Sequence, residues 1–167
     1  NVRRFWEDQI TAIFLRPFLN DLVERKKKRL ERLRILDIGC GSGRHVAEAH
    51  ALNNAMVVGV DPNIADLYEA RDRLDVHERM QTGGDQSRWY LSSANILCLP
   101  FREQSFDLVI CSEVLEHIHD YQRSIREIQR VLASDGQLVI SVPRRWPEIL
   151  CRLFSKSYRN TPGGHVR

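Results

Sequence analysis

Two carboxylates in this sequence have neighbours that could give them chemistry, Asp37 and Asp61. Asp37 is followed by Ile38-Gly39-Cys40-Gly41-Ser42-Gly43, in which Gly39, Gly41 and Gly43 fall at every second place. Glycines so placed let the backbone turn left-handed and let a ligand approach with no Cβ in the way. A dinucleotide fingerprint, GxGxxG, would need a third glycine where Arg44 stands, so the pyrophosphate reading fails there. The acid ahead of the glycines suits a cationic ligand instead. Asp61 closes the apolar run 56–60, where a carboxylate can accept hydrogen bonds from both hydroxyls of a ribose. Taken alone, Asp61 serves equally well as a helix N-terminal carboxylate meeting the dipole. Beside the glycine turn, the sugar contact is the stronger reading.

Proton transfer would fall to histidine, which titrates near neutrality. His117, after the apolar run 106–111, and His165, in Pro162-Gly163-Gly164-His165, are the two candidates. Each also has a purely structural reading. Glu113 and Glu116 are weaker candidates, because surface carboxylates are common. The cysteines Cys40, Cys98, Cys111 and Cys151 form no CxxC pair and show no zinc spacing, so no metal site is expected.

The elements that must carry these residues alternate. Apolar runs at 35–38, 56–60, 89–91, 106–111 and 137–142 predict strands. Between them the spacing predicts helices over 46–52, after the capping residue Asn63 (Ile64, Leu67, Tyr68, Arg71, Leu74), and after Asp120 (Ile125, Ile128, Val131, Leu132). Residues 77–87 read as a loop, and Asp135-Gly136 as a turn into the fifth strand. Continuous apolar strands, each followed by a helix, predict a Rossmann-like α/β fold: a doubly wound, mainly parallel sheet with helices on both faces. Ligands then bind beyond the strand C-termini.

Residues 34–143 form this core. A helical segment over 1–33, interrupted at Pro17 and basic from Arg25 to Arg29, precedes it, and a helix and loop over 144–167 follow as a substrate cap, all within one domain. The basic run reads first as a solvated helix face. The mixed aromatic and arginine stretch 144–159 reads first as a helix packed on the sheet, with a membrane interface or a lipid-like substrate as the lesser alternative.

Several segments together resemble the class I S-adenosylmethionine-dependent methyltransferases, in their small-molecule (type 11) group. They are Leu36 to Gly43, Val58-Gly59-Val60-Asp61, Ala94 to Phe101 with Ser105-Phe106-Asp107, Glu113-Val114-Leu115-Glu116-His117, and Arg130-Val131-Leu132 to Gly136. The resemblance implies S-adenosylmethionine as cofactor and a small-molecule methyl acceptor. By position it implies that Asp37, Gly39, Cys40, Gly41 and Gly43 border the methionine moiety, and that Asp61, with Pro62 beside it, holds the ribose. Asn95 and Ile96 then meet the adenine, and Cys111 and Ser112 line the floor near the sulfonium. Asn95 departs from the family's usual aspartate, yet its carbonyl still accepts from an adenine amino group. The family sheet usually has two further strands, for which the chain after the fifth strand is too short. A truncated chain, or an open edge completed by an oligomer partner, is the expectation. A non-catalytic cofactor-binding subunit is the alternative to an enzyme.

Composition sets the outer bounds. The 167 residues are 43% hydrophobic and 28% charged, enough for one core and too structured a mixture for disorder. A net charge of +3 is far from the basic footprint of a dedicated nucleic-acid binder. The asparagine-proline-proline-tyrosine signature of base or glutamine amino-group methylation is absent, as is a proline-cysteine nucleophile for cytosine. Reduced cysteines in apolar surroundings fit a cytoplasmic compartment.

Overall fold

The computed structural model describes residues 20, 22–24, 31–52, 54–80 and 88–141. Five apolar segments become strands: β1 (Leu33–Ile38), β2 (Ala55–Val60), β3 (Arg88–Ser92), β4 (Phe106–Ser112) and β5 (Leu132–Ser141). Every pairing is parallel, in the order β3-β2-β1-β4-β5. Parallel neighbours require crossovers, supplied by α1 (Arg44–His50), α2 (Ile64–Met80) and α3 (Tyr121–Val131).

Strand residues alternate between two cores. Ile35, Val57, Leu108 and Ile110 pack with Val46 and Ala49 of α1 and Leu74 of α2 on one face. Leu36, Val58, Val109 and Cys111 pack with Ile125, Ile128 and Val131 of α3 on the other. The doubly wound architecture expected from the sequence is therefore present. Gly59 makes close layering possible, since a Cβ there would meet Val46 at 2.9 Å and Cys40 at 3.0 Å.

Caps form where the residue types indicate. Asp120 accepts the Arg123 N–H at 3.1 Å, and the Asn63 side chain accepts the Ala65 N–H at 3.1 Å. Five local expectations are corrected. Helix α2 runs on to Met80 rather than ending before 77, because its last turn carries His77 and Arg79 against the helix dipole. Glu78 in that turn also accepts from the Trp89 indole at 3.2 Å. Ile64 and Tyr68 are exposed, and α2 buries Ala70 and Leu74 instead. Leu132 belongs to β5, paired with Phe106, rather than to α3. The Asp135-Gly136 segment is a shift in register between Leu132 and Gln137 inside that strand rather than a turn before it. Finally, β3 alternates exposed and half-buried residues as the outer strand of this sheet, where a continuously apolar run had been expected.

Among the described residues no helix is long and apolar enough to cross a membrane. Of the helical segment expected over 1–33, residues 20 and 22–24 are helical, but 31–33 are not, because β1 already begins at Leu33. The rest of that segment with the basic run 25–29, the stretch 144–167 and any strands after β5 lie outside the described residues.

Candidate functional site

The sheet order reverses between β1 and β4, and such reversals open a crevice beyond the strand C-termini. At this edge β1 runs into the glycine turn, where Gly39, Gly41 and Gly43 have φ of 69°, 49° and 77°. These are left-handed values that side-chain-bearing residues rarely adopt. The Gly39 and Cys40 N–H groups both donate to the Val60 carbonyl, at 2.8 and 3.0 Å, pinning the turn to the tip of β2. A Cβ at Gly39 would run into Val114, and one at Gly43 would meet Ala70 of α2. Gly41 differs: a Cβ there would meet nothing within 4 Å, so this part of the turn borders open space.

Asp61 ties the turn from the other side. Its Oδ2 accepts the Gly41 N–H at 3.0 Å and its Oδ1 the Asn63 N–H at 2.8 Å. Each oxygen keeps a lone pair for a further donor such as a hydroxyl.

Asp37 lies between them, 1% exposed, with no hydrogen-bond partner for either carboxyl oxygen. Burial holds this carboxyl well above the usual carboxylate range; Arg44 pulls it down and Asp61 pushes it up. A buried polar group without a partner costs about 1–3 kcal/mol. A ligand's ammonium group would supply what is missing. Cys111 faces both Asp37 and Glu116, and burial first, then these two acids, push its thiol up to about 12. A thiol so held is neutral and no nucleophile. Burial likewise raises the Cys40 thiol.

Of the remaining expected residues, Asn95 is exposed at the head of the β3–β4 loop, its Oδ1 accepting the Leu97 N–H at 2.9 Å. Ile96 beside it is buried, and Pro62 follows Asp61 on the surface. Ser112 ends β4 with its hydroxyl 2.8 Å from that of Ser141, which donates to Glu113 Oε1 at 2.7 Å. His117 closes a 3-10 turn, Leu115–His117, with an exposed side chain. His165 lies outside the described residues. The structure thus gathers Asp37, Cys40, Gly41, Asp61 and Cys111 at one edge, with Ser112 on the adjoining strand tip.

Three features had no local signal in the sequence. Glu113 takes φ 55°, unusual for a glutamate, where it links β4 to β5. One oxygen of Glu116 is buried without a partner, which raises its standing over a surface carboxylate. Val114 fills the space that makes glycine obligatory at position 39. Among the described residues no three His, Cys, Asp or Glu side chains converge as a metal site would need.

The chain also resembles known proteins. A family model described as "Methyltransferase domain" matches residues 36–140. The 27-O-demethylrifamycin SV methyltransferase of Amycolatopsis mediterranei is 33% identical over 146 residues, covering 81% of this chain and 48% of that protein. The ubiquinone biosynthesis O-methyltransferase of Pseudomonas putida is 36% identical over 115 residues, covering 69% and 46%. Among solved structures, an arsenic(III) S-adenosylmethionine methyltransferase from Chlamydomonas reinhardtii superposes with a TM-score of 0.58 at 33% identity, covering 66% and 38%. The chain spans about half the length of the curated relatives it matches.

Proposed function

The chain belongs to the methyltransferase-domain family, whose cofactor is S-adenosylmethionine, and from that membership we propose that it transfers the cofactor's methyl group to a small-molecule acceptor. One observation carries the reading: the buried, unpartnered carboxyl of Asp37 beside an open glycine turn. An amino-acid tail brings an ammonium group to Asp37 and lies along Gly41, which leaves room for it. The free lone pairs of Asp61 accept from the ribose hydroxyls, and Asn95 with Ile96 frames the adenine. When bound, S-adenosylmethionine supplies a methyl group already activated on a positively charged sulfur.

The protein's remaining task is orientation, which can lower a barrier by about 7–11 kcal/mol. Cys111, neutral and buried, keeps water from the floor of the crevice. Two of the relatives carry names that describe methylation at oxygen, so hydroxyl-bearing acceptors are the first to try. A hydroxyl begins protonated and gains from a base, typically by 10²–10⁴-fold. His117 and Glu116, both following β4, are the candidates to take that proton.

Calorimetric titration with S-adenosylmethionine, followed by mass spectrometry of a metabolite extract incubated with methyl-labelled cofactor, tests the proposal. Saturable binding with a labelled small molecule is the expected result. Binding without any labelled small molecule would leave a cofactor-binding module and overturn the transfer step.

A further inference from the structure

The β3–β4 loop, residues 93–105, is held by two side chains near the end of α3. Arg130 donates from Nη1 to the Phe101 carbonyl at 2.6 Å and from Nη2 to the Leu99 carbonyl at 3.0 Å. Its Nε and Nη2 also donate to Oε1 and Oε2 of Glu127, both at 2.8 Å. Glu127 Oε2 in turn accepts the Leu99 N–H at 2.8 Å. Three backbone polar groups of the loop, the Leu99 N–H and the Leu99 and Phe101 carbonyls, therefore end on one ion pair.

An i,i+3 pair on a helix surface contributes little as an attraction between charges. Its use here is geometric. A guanidinium is planar and presents five N–H donors in fixed directions, so Arg130 serves two carbonyls and a carboxylate at once. The ammonium of a lysine carries the same charge without that fork. Arg130 and Glu127 lie 29% and 19% exposed, sheltered enough to keep this geometry.

We propose that Glu127 and Arg130 are positioning residues for the nucleobase end of the cofactor pocket, setting where Asn95 presents its carboxamide. The inference rests on the reading of this loop as the adenine frame. The path is short and covalent: Leu99 is two residues from Leu97, whose N–H fixes Asn95 Oδ1 at 2.9 Å. Neither side chain needs to touch the cofactor. Loosening the pair shifts the base end of the pocket and leaves the tail end, at Asp37 and Gly41, as it was.

The test is calorimetry of the whole chain with S-adenosylhomocysteine and with its inosine counterpart, in which an oxo group replaces the adenine amino group. Arg130→Gln, Arg130→Lys and Glu127→Gln are compared with the unaltered protein, well below each melting temperature. The unaltered protein is expected to prefer the adenine ligand. Arg130→Gln is expected to weaken S-adenosylhomocysteine binding about tenfold and to bring the two ligands close to parity. Arg130→Lys restores little, and Glu127→Gln, which keeps an acceptor for Leu99, falls between. Lower melting temperatures with an unchanged preference between the two ligands would make the pair merely structural and overturn the proposal. So would full rescue by lysine. If the unaltered protein binds neither ligand, the cofactor reading itself fails, and this inference with it.

Discussion

Asp37 is a carboxyl group that the fold buries without giving it a donor. In the unfolded chain it titrates near its ordinary value of 3.8, whereas burial raises it well above that in the folded protein. Between the two values the folded chain holds a proton that the unfolded chain has released. The stability of the unliganded protein therefore falls as pH rises through this window. Asp37→Asn removes the titration. It is expected to raise the melting temperature of the unliganded protein at neutral pH by a few degrees, on the order of 1 kcal/mol. The same change removes the negative charge proposed to meet the cofactor's ammonium, turning a charge-assisted bond worth about 1.5–3 kcal/mol into a weaker neutral one. Binding should weaken roughly ten- to a hundredfold. Stability gained with affinity lost, read by melting curves and calorimetry on one variant, is a pattern that a purely structural aspartate would not give. Asp61 predicts the opposite pairing. Its carboxylate holds Gly41 and Asn63 and is the proposed partner of the sugar, so Asp61→Ala should lower both stability and affinity, the latter about tenfold or more.

Elements position these residues through contacts that differ in how far they reach along the chain. The glycine turn is short-range and was readable, because three glycines before a helix announce left-handed backbone. What the turn packs against was not readable, since Ala70 and Val114 lie far along the sequence. Gly43→Ala would combine a φ of 77° with a Cβ pressed to 2.9 Å from the Ala70 Cβ and 3.1 Å from its Cα. Backbone cannot give way as a side chain would, so urea unfolding should show a loss of about 2–4 kcal/mol. The clamp at Arg130 was equally silent, because its partners Leu99 and Phe101 stand 31 and 29 residues away. The early start of β5 escaped for a related reason: a tertiary partner, Phe106, decided it over local pattern. Asp107 shows the converse hazard. It lies in a segment resembling the adenine-framing region, yet its carboxylate is taken by Arg34, from Nη2 at 2.9 Å, Nε at 3.2 Å and the backbone N–H at 2.9 Å. This pairing joins β1 to β4 near their N-terminal ends, away from the crevice. Asp107→Ala should therefore cost about 2 kcal/mol or more of stability while leaving cofactor affinity unchanged.

At the scale of the whole molecule, the crevice joins the C-terminal ends of neighbouring strands of one sheet. The turn after β1, the tip of β2 and the tip of β4 all border it, so a ligand bound there braces three neighbouring strands. A ligand at a hundred times its Kd stabilises the folded state by about 2.7 kcal/mol. For a domain of this size that corresponds to a rise in melting temperature of roughly 5–10 °C. S-adenosylmethionine should produce this rise, and NAD at equal concentration should produce almost none. The reason is charge as much as shape. The crevice presents Asp61 and the buried carboxyl of Asp37, which can give up its proton to pair with an ammonium tail and offers a pyrophosphate no such partner. Arg44 does not reverse this, because it stands at the third glycine place of a dinucleotide-binding turn, which needs glycine for close packing of the helix on the strand. Differential scanning fluorimetry with both ligands decides the matter. A rise with NAD equal to that with S-adenosylmethionine would mean that the acids do not discriminate, and that the glycine turn alone sets what the crevice holds.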